Sequence, residues 1–302
     1  MSARGERRTT AQFDGRWLAA QLQALLGPLA RRRLCLGLSG GLDSTVLLSA
    51  LAPLRARERF HLRALHVNHG LHVNAAQWAQ RAAAQARRLR VRFELLPVEV
   101  RPLRGASLEA LAREARYAAL RARLSPGEVL LTAHHLDDQL ETLLLALLRG
   151  SGLKGLACMP QLAPFGPGLH ARPLLPIARA QLEAYAHAQG LSWSEDESNA
   201  DERFDRNYLR RRVIPAIRLR WPAAAAGANR SASLLAEAQR LLEQAAQPML
   251  AQAIDGAALR VPVLRRLQVP QRRLLLRTWL TRRGLPLPDQ RRLQELTGPV
   301  LA

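Results

Sequence analysis

Through the first two-thirds of the chain, short continuous apolar runs alternate with segments whose apolar positions recur every three or four residues. That rhythm predicts strands each followed by a helix, and therefore a parallel sheet. Strands are expected at 34–38, 62–67, 92–96 and 129–132, with a weaker one near 172–175. Helices are expected at 45–54, 75–89, 108–124 and 138–149. The fold class is α/β, a parallel sheet of about five strands with helices on both faces, followed by a smaller all-helical domain.

The pattern changes near Trp221, where strand-like runs stop and Ala, Leu, Arg and Gln dominate. A helix over 230–247 is expected to bury Leu234, Leu235, Ala238, Leu241, Leu242 and Ala245 on one face, and Pro248 to end it. Pro270 suits the first turn of another helix, with Leu274, Leu275 and Trp279 inward and Gly284 just past its end. The expected division is an N-terminal arm and helix over 1–30, a catalytic domain over 31–220 and a helical domain over 221–302.

Composition narrows the partners. The formal net charge is +21, from 45 basic and 24 acidic residues, which suits a polyanion such as nucleic acid. Lys154 is the sole lysine, so the use of arginine over lysine reflects coding bias, but the excess of cations does not. Seven arginines between 203 and 220, including Arg206, Arg210 and Arg211 beside Asn207, make a candidate basic strip for RNA phosphates. The apolar run 143–148 is too short to span a bilayer, and the basic first ten residues lack a signal-peptide core, so a cytoplasmic protein with no membrane partner is expected. Cys35 and Cys158 are far apart and in no Cys/His cluster, which excludes zinc and iron–sulfur ligation and suits a reducing compartment. Cys35, inside an apolar run, is read as a buried thiol.

Candidate chemistry lies where strands end. Ser39-Gly40-Gly41-Leu42-Asp43-Ser44 carries the first strand into a helix, bringing backbone N–H groups and the positive helix end to one point. The glycines permit close approach to phosphate, and Ser39 and Ser44 add hydroxyls. Asp43 makes sense there if Mg²⁺ bridges it to the phosphates. The loop lacks the lysine of GxxxxGK[ST] and is not GxGxxG. His66, Asn68 and His69 leave the second strand at its carboxyl end, where open α/β sheets bind ligands. After the fourth strand, Thr132-Ala133-His134-His135-Leu136-Asp137-Asp138-Gln139-Leu140-Glu141 opens a helix. Asp137 and Glu141, four apart, repel on one helix face unless a cation such as Mg²⁺ or an ammonium lies between them.

These motifs, with HVNHGL at His66, REARY at Arg113, RPLL at Arg172 and DESNADERFDRN at Asp196, resemble in order and spacing the tRNA(Ile)-lysidine synthetase family of the PP-loop ATP pyrophosphatase superfamily. The resemblance covers 31–302 and implies a Rossmann-like adenine nucleotide α-hydrolase fold. It implies that ATP adenylates the wobble cytidine of the CAU anticodon of tRNA(Ile), after which L-lysine displaces AMP and changes the codon read from AUG to AUA. The loop from Ser39 to Ser44 would then hold pyrophosphate, with Asp43 and Asp137 on Mg²⁺. His135, Asp137, Asp138 and Glu141 would surround metal and lysine, with His135 and Asp137 the source of a base. His66, Asn68, His69 and Ala133 would line the adenine side of the crevice. Arg113, Arg116, Arg206, Asn207, Arg210 and Arg211 would face tRNA. His72 and Phe204 replace the family's usual arginine and tyrosine, and longer members continue into a second C-terminal domain. A homodimer is left open. Two rivals are a tRNA thiolase, which would want CxxC ligands, and a nucleic-acid-binding protein that has lost catalysis.

Overall fold

A computed structural model describes residues 13–102, 107–195 and 201–298. The N-terminal arm, Asp196 and Asn199 of the DESNADERFDRN motif, and the last four residues lie outside the described residues. The chain divides into two compact units, Met1–Arg149 with Cys158–Asn229, and Gly150–Ala157 with Arg230–Ala302.

In the first unit the order is α1 (Gly15–Leu26), β1 (Arg33–Gly37), α2 (Leu42–Glu58), β2 (His61–Asn68), α3 (Ala75–Arg88), β3 (Arg92–Pro97), α4 (Leu108–Arg123), β4 (Val129–Leu131) and α5 (Leu136–Leu148). After α6 (Leu153–Leu156), a segment of the second unit, come β5 (Leu162–Phe165), β6 (Gly168–Ala171), α7 (Arg179–Ala188), α8 (Asp205–Tyr208), a π-helical turn (Leu209–Val213) and α9 (Ile214–Arg220). α10 (Ala224–Ala253) runs into the second unit, which continues with β7 (Ile254–Asp255), β8 (Ala258–Leu259), α11 (Val261–Arg265), α12 (Val269–Arg282) and α13 (Gln290–Thr297).

The main sheet has six strands in the order β3-β2-β1-β4-β6-β5, parallel throughout except that β5 runs against β6. Its central strands are apolar on both sides, as a sheet covered on both faces requires. Leu34 and Leu36 of β1 pack with α1, α2, α3 and α7 residues, among them Leu22, Leu47, Ala82 and Leu182. Cys35 points the other way, to Leu120, Leu124 and Leu130. Burial pushes the Cys35 thiol up to about 12, so it behaves as a small hydrophobe.

Three expectations need correction. The strand expected near 172–175 is a turn, with Leu175 N–H bonded to the Arg172 carbonyl and Ile177 N–H to that of Leu174. The strands there are the preceding hairpin β5–β6, each only four residues long. Gly168 is required in it, because a Cβ would stand 2.0 Å from the Glu128 carbonyl oxygen. α10 passes through Pro248 instead of ending there. A proline inside a helix costs about 3 kcal/mol. Burial of Ala246, Leu250 and Ala253 beyond and before it offsets that cost. The buried face is accordingly Ala232, Ala246, Leu250 and Ala253, while Leu234, Leu241 and Leu242 are exposed. The helical unit also contains the small hairpin β7–β8. α12 has Pro270 in its first turn, buries Leu275 and is followed by Gly284 at φ +66°.

Arg63 on β2 ties the sheet to the start of β4, its Nε and Nη2 donating to the two Glu128 carboxylate oxygens at 2.7 and 2.6 Å. Burial opposes ionisation of Glu128, but Arg63 and the Ser125 N–H outweigh it and hold its pKa below 4.5. A lowered carboxylate pKa stabilises the fold above the unfolded value, and the gain is lost as pH falls through the folded one. Glu128→Gln should therefore cost about 2–4 kcal/mol in urea unfolding at pH 7, and the gap to the parent should close in acid. An equal gap at both pH values would contradict this.

Candidate active site

The strand order reverses between β1 and β4: β1 continues to β2 on one side of the sheet and β4 to β6 on the other. Leu36 pairs with Leu131, so the loops leaving both strands start at the same level and face each other across the switch point, where such sheets bind ligands.

The β1 loop is prebuilt. Gly40 has φ +87°, a conformation that disfavours any side chain. The Ser44 hydroxyl lies 3.0 Å from that of Ser39, accepts from Gly40 N–H at 3.1 Å and donates to the Gly41 carbonyl at 3.1 Å. Ser194 N–H holds the Gly40 carbonyl at 2.9 Å, and Thr45 reaches Gln85 of α3 at 3.3 Å. Ser194 was not singled out from the sequence; its hydroxyl is buried beside the loop and has no hydrogen-bond partner among the described residues. α2 begins at Leu42 with no side-chain cap, so its first N–H groups keep their capacity for an anion.

Opposite, the buried His135 gathers three carboxylates: Asp43 and Asp138 at 3.7 and 3.6 Å from Nε2, and Asp137 at 3.5 Å from Nδ1. Asp138 also accepts from His135 N–H at 3.0 Å. Burial resists its ionisation, but His135, His134, that N–H and Arg210 prevail and lower its pKa. Asp43 is raised, first by burial and then by the Asp138 charge. Its Oδ1 is buried without a hydrogen-bond partner among the described residues. Two half-buried carboxylates with an open acceptor are a fitting seat for a hard divalent cation, which is commonly held by one or two carboxylates plus substrate phosphates. Among the described residues no group of three or more His, Cys, Asp and Glu forms a complete metal cage.

Asp137 and Glu141, between which a cation was expected, pair with two different arginines. Arg210, on the π-helical turn, donates to both Glu141 oxygens at 2.7 and 2.8 Å and to Asp138 at 3.4 Å. Asp137 instead pairs with Arg218 and accepts from Arg179 N–H at 2.6 Å. Asp43 and Asp137, the carboxylates expected on a metal, sit on opposite nitrogens of His135, and Asp138 is the carboxylate on the Asp43 side.

The β2 and α4 side is basic. His66 Nδ1 meets the Leu38 carbonyl at 2.8 Å, and burial keeps the ring neutral near pH 7. Asn68 accepts from Gly70 N–H at 2.9 Å, and the buried His69 Nδ1 has no hydrogen-bond partner among the described residues. Ala133 packs against the main core. Arg113 and Arg116 lie 5.2 and 5.4 Å over the Tyr117 ring. Beside them stand His170, which the sequence did not single out, and Arg172 of the RPLL motif, both buried.

The basic strip is less free than its composition suggests. Arg203 pairs with Asp201, Arg211 and Arg212 pair with Glu202, and Arg206 donates to Thr142 at 3.3 Å. Asn207 is buried and donates to the Asp201 carbonyl at 2.9 Å, bracing a turn and not facing outward. Of the two departures, His72 stacks on Trp78 with centroids 4.6 Å apart, and Phe204 supplies the carbonyl that Tyr208 N–H caps.

Removing one partner of a buried ion pair strands the other charge. Arg210→Ala should cost about 2–4 kcal/mol. In the cycle with Glu141→Ala the double variant should lose at least about 1 kcal/mol less than the sum. Additive losses in chemical denaturation would show that the pair does not hold the turn to α5.

Residues 16–217 match the PP-loop domain family, and residues 259–299 match the TilS substrate binding domain. The tRNA(Ile)-lysidine synthase of Methylococcus capsulatus is 47% identical over 266 residues, 87% of this chain and 61% of the relative. That of Alkalilimnicola ehrlichii is 48% identical over 286 residues, 95% of this chain and 64% of the relative. The chain therefore spans somewhat over three-fifths of the length of these relatives. Among solved structures, the U34-tRNA thiolase NcsA from Methanococcus maripaludis with its 4Fe–4S cluster aligns with TM-score 0.61 at 15% identity, covering 74% of this chain and 78% of that one, a likeness of fold. The family match runs through both loops of the switch-point crevice and over more than half of the chain: this protein belongs to the PP-loop domain family.

Proposed function

We propose that this chain ligates L-lysine to the wobble cytidine of the CAU anticodon of tRNA(Ile), using ATP and releasing AMP and diphosphate, in the cytoplasm where tRNA is charged. The observation that carries the reading is the pairing of the Ser39–Ser44 turn with buried carboxylates across the switch point, in a chain similar to tRNA(Ile)-lysidine synthases along most of its length.

In the first step the cytosine carbonyl oxygen bonds to the α-phosphorus of ATP and the bond to the bridging oxygen of the β-phosphate breaks. The turn's N–H groups, with Ser39 and Ser44, receive the diphosphate that leaves. Asp43 and Asp138 would hold Mg²⁺, which supplies charge neutralisation for the phosphates. In the second step the lysine amine attacks the activated ring carbon, the carbon–oxygen bond breaks and AMP departs. Asp43 and Asp138 form the acidic wall toward which an ammonium is drawn, and His135, between carboxylates, is placed to take the amine's proton. Asp137, held by Arg218 and the Arg179 N–H, orients this wall and does not carry the metal. The rest is positioning.

Incubation with ATP, labelled lysine and total tRNA should label a CAU-anticodon tRNA. Asp43→Asn should reduce labelling by about a hundredfold or more. Label on no tRNA would overturn the reading. tRNA affinity should fall by about 0.7–0.9 log unit per log unit of salt for each phosphate contact. Because most strip arginines are paired within the protein, the total slope should be that of a few contacts; a slope matching all seven arginines of 203–220 would contradict the internal pairing.

A further inference from the structure

Four side chains that the reaction scheme above leaves unused form a continuous hydrogen-bonded line at the crevice. Arg172 Nη2 lies 3.0 Å from His170 Nδ1, His170 Nε2 lies 2.8 Å from Thr132 Oγ1, and that oxygen lies 2.8 Å from His134 Nδ1. The sheet register builds this line. Leu131 pairs with Ala171, and Thr132 N–H bonds to the Ala171 carbonyl at 3.2 Å, so Thr132 ends β4 beside the end of β6, where His170 and Arg172 are two apart.

The sense of each bond follows from what each group is able to do. Arginine only donates, so His170 Nδ1 is a bare acceptor. Burial, with Arg172 and Arg113 nearby, takes the His170 pKa down to about 3, so the ring is neutral at pH 7 and its one proton is on Nε2. That proton is donated to Thr132 Oγ1. Among the described residues the Thr132 hydroxyl has only the two histidines as side-chain partners, so its own proton goes to His134 Nδ1. His134 is in turn neutral near pH 7, because burial outweighs the Asp138 charge. Its remaining proton is therefore on Nε2, for which no partner is found among the described residues.

We infer that Arg172, His170 and Thr132 are positioning residues that lock His134 as a neutral Nε2–H donor, aimed at an oxygen acceptor of the substrate and unable to serve as a base. The acceptor is a carbonyl or phosphoryl oxygen, since an amine to be deprotonated would need the bare nitrogen that Thr132 occupies. The surroundings agree: Arg113, Arg116 and Arg172 lie around this group, and among the described residues the buried Arg172 Nε has no hydrogen-bond partner. The inference rests on the proposed ligation only for the identity of the acceptor; the tautomer is a property of the protein alone.

The test has two arms. In ligand-free protein with ¹⁵N-labelled histidine, near neutral pH, the signals missing from His134→Gln identify His134. They should show a bare Nδ1 and a protonated Nε2. Thr132→Val should release His134 into a mixture of tautomers while His170, still held by Arg172, keeps its own, and Thr132→Ser should restore the parent pattern. A proton on Nδ1 of His134, or no response to Thr132→Val, would overturn the inference whatever the protein's activity. In the labelling assay His134→Gln, which keeps an N–H donor but offers no base, should stay within about tenfold of the parent, whereas His134→Ala should lose about a hundredfold. Equal loss in both would also overturn it. No labelling by the parent would instead sink the proposed ligation and leave the tautomer result standing.

Discussion

The site depends on one electrostatic arrangement, several carboxylates kept close together in a buried place where their mutual repulsion is strong. Asp43, Asp137 and Asp138 surround His135, and Glu141 lies one turn further along α5. Such a cluster persists only if each charge has a partner or a proton. The N-terminus of α5 supplies part of the compensation, Arg210 and Arg218 supply most of the rest, and Asp43 keeps one oxygen unsatisfied. That residual demand falls beside the Ser39–Ser44 turn, where a nucleotide with its metal would meet it.

Across the crevice the sign of charge reverses. The side formed by α4 and the end of β6 holds Arg113, Arg116 and Arg172 around neutral histidines, while the α5 side is acidic. In the proposed reaction an amine and an oxygen-rich nucleotide would be drawn to different walls, and the reversal of strand order at β1 and β4 sets the walls apart. The π-helical turn at Leu209–Val213 has a part in this, because it carries Arg210 to the acidic side while Arg211 and Arg212 remain exposed with Glu202.

Much of the fold was legible because parallel strands covered on both faces leave long apolar runs. The first four strands and four helices fall within a few residues of where periodicity puts them. The β5–β6 hairpin was not, since four-residue strands around Gly166 and Pro167 carry too little pattern and depend on the close approach at Gly168. The face of α10 was misread because alanines, with Leu250, line its buried side while Leu234, Leu241 and Leu242 are exposed. The Ser39–Ser44 strand-to-helix turn could be read from sequence because its glycines and serines act locally. The partners of Asp137, Asp138 and Glu141 could not, because Arg210 and Arg218 lie some 70 to 80 positions away and nothing local marks them. Neither could the line from Arg172 to His134, which exists only once β4 and β6 are paired.

The central claim is that the Ser39–Ser44 turn presents the α-phosphorus, and not the γ-phosphorus, of ATP to a base on RNA. The direct measurement is incubation with tRNA and ATP labelled at the α-phosphate, with lysine withheld. The account predicts label on the tRNA, discharged as AMP when lysine is added. Label recovered only as ADP, with inorganic phosphate released, would contradict it.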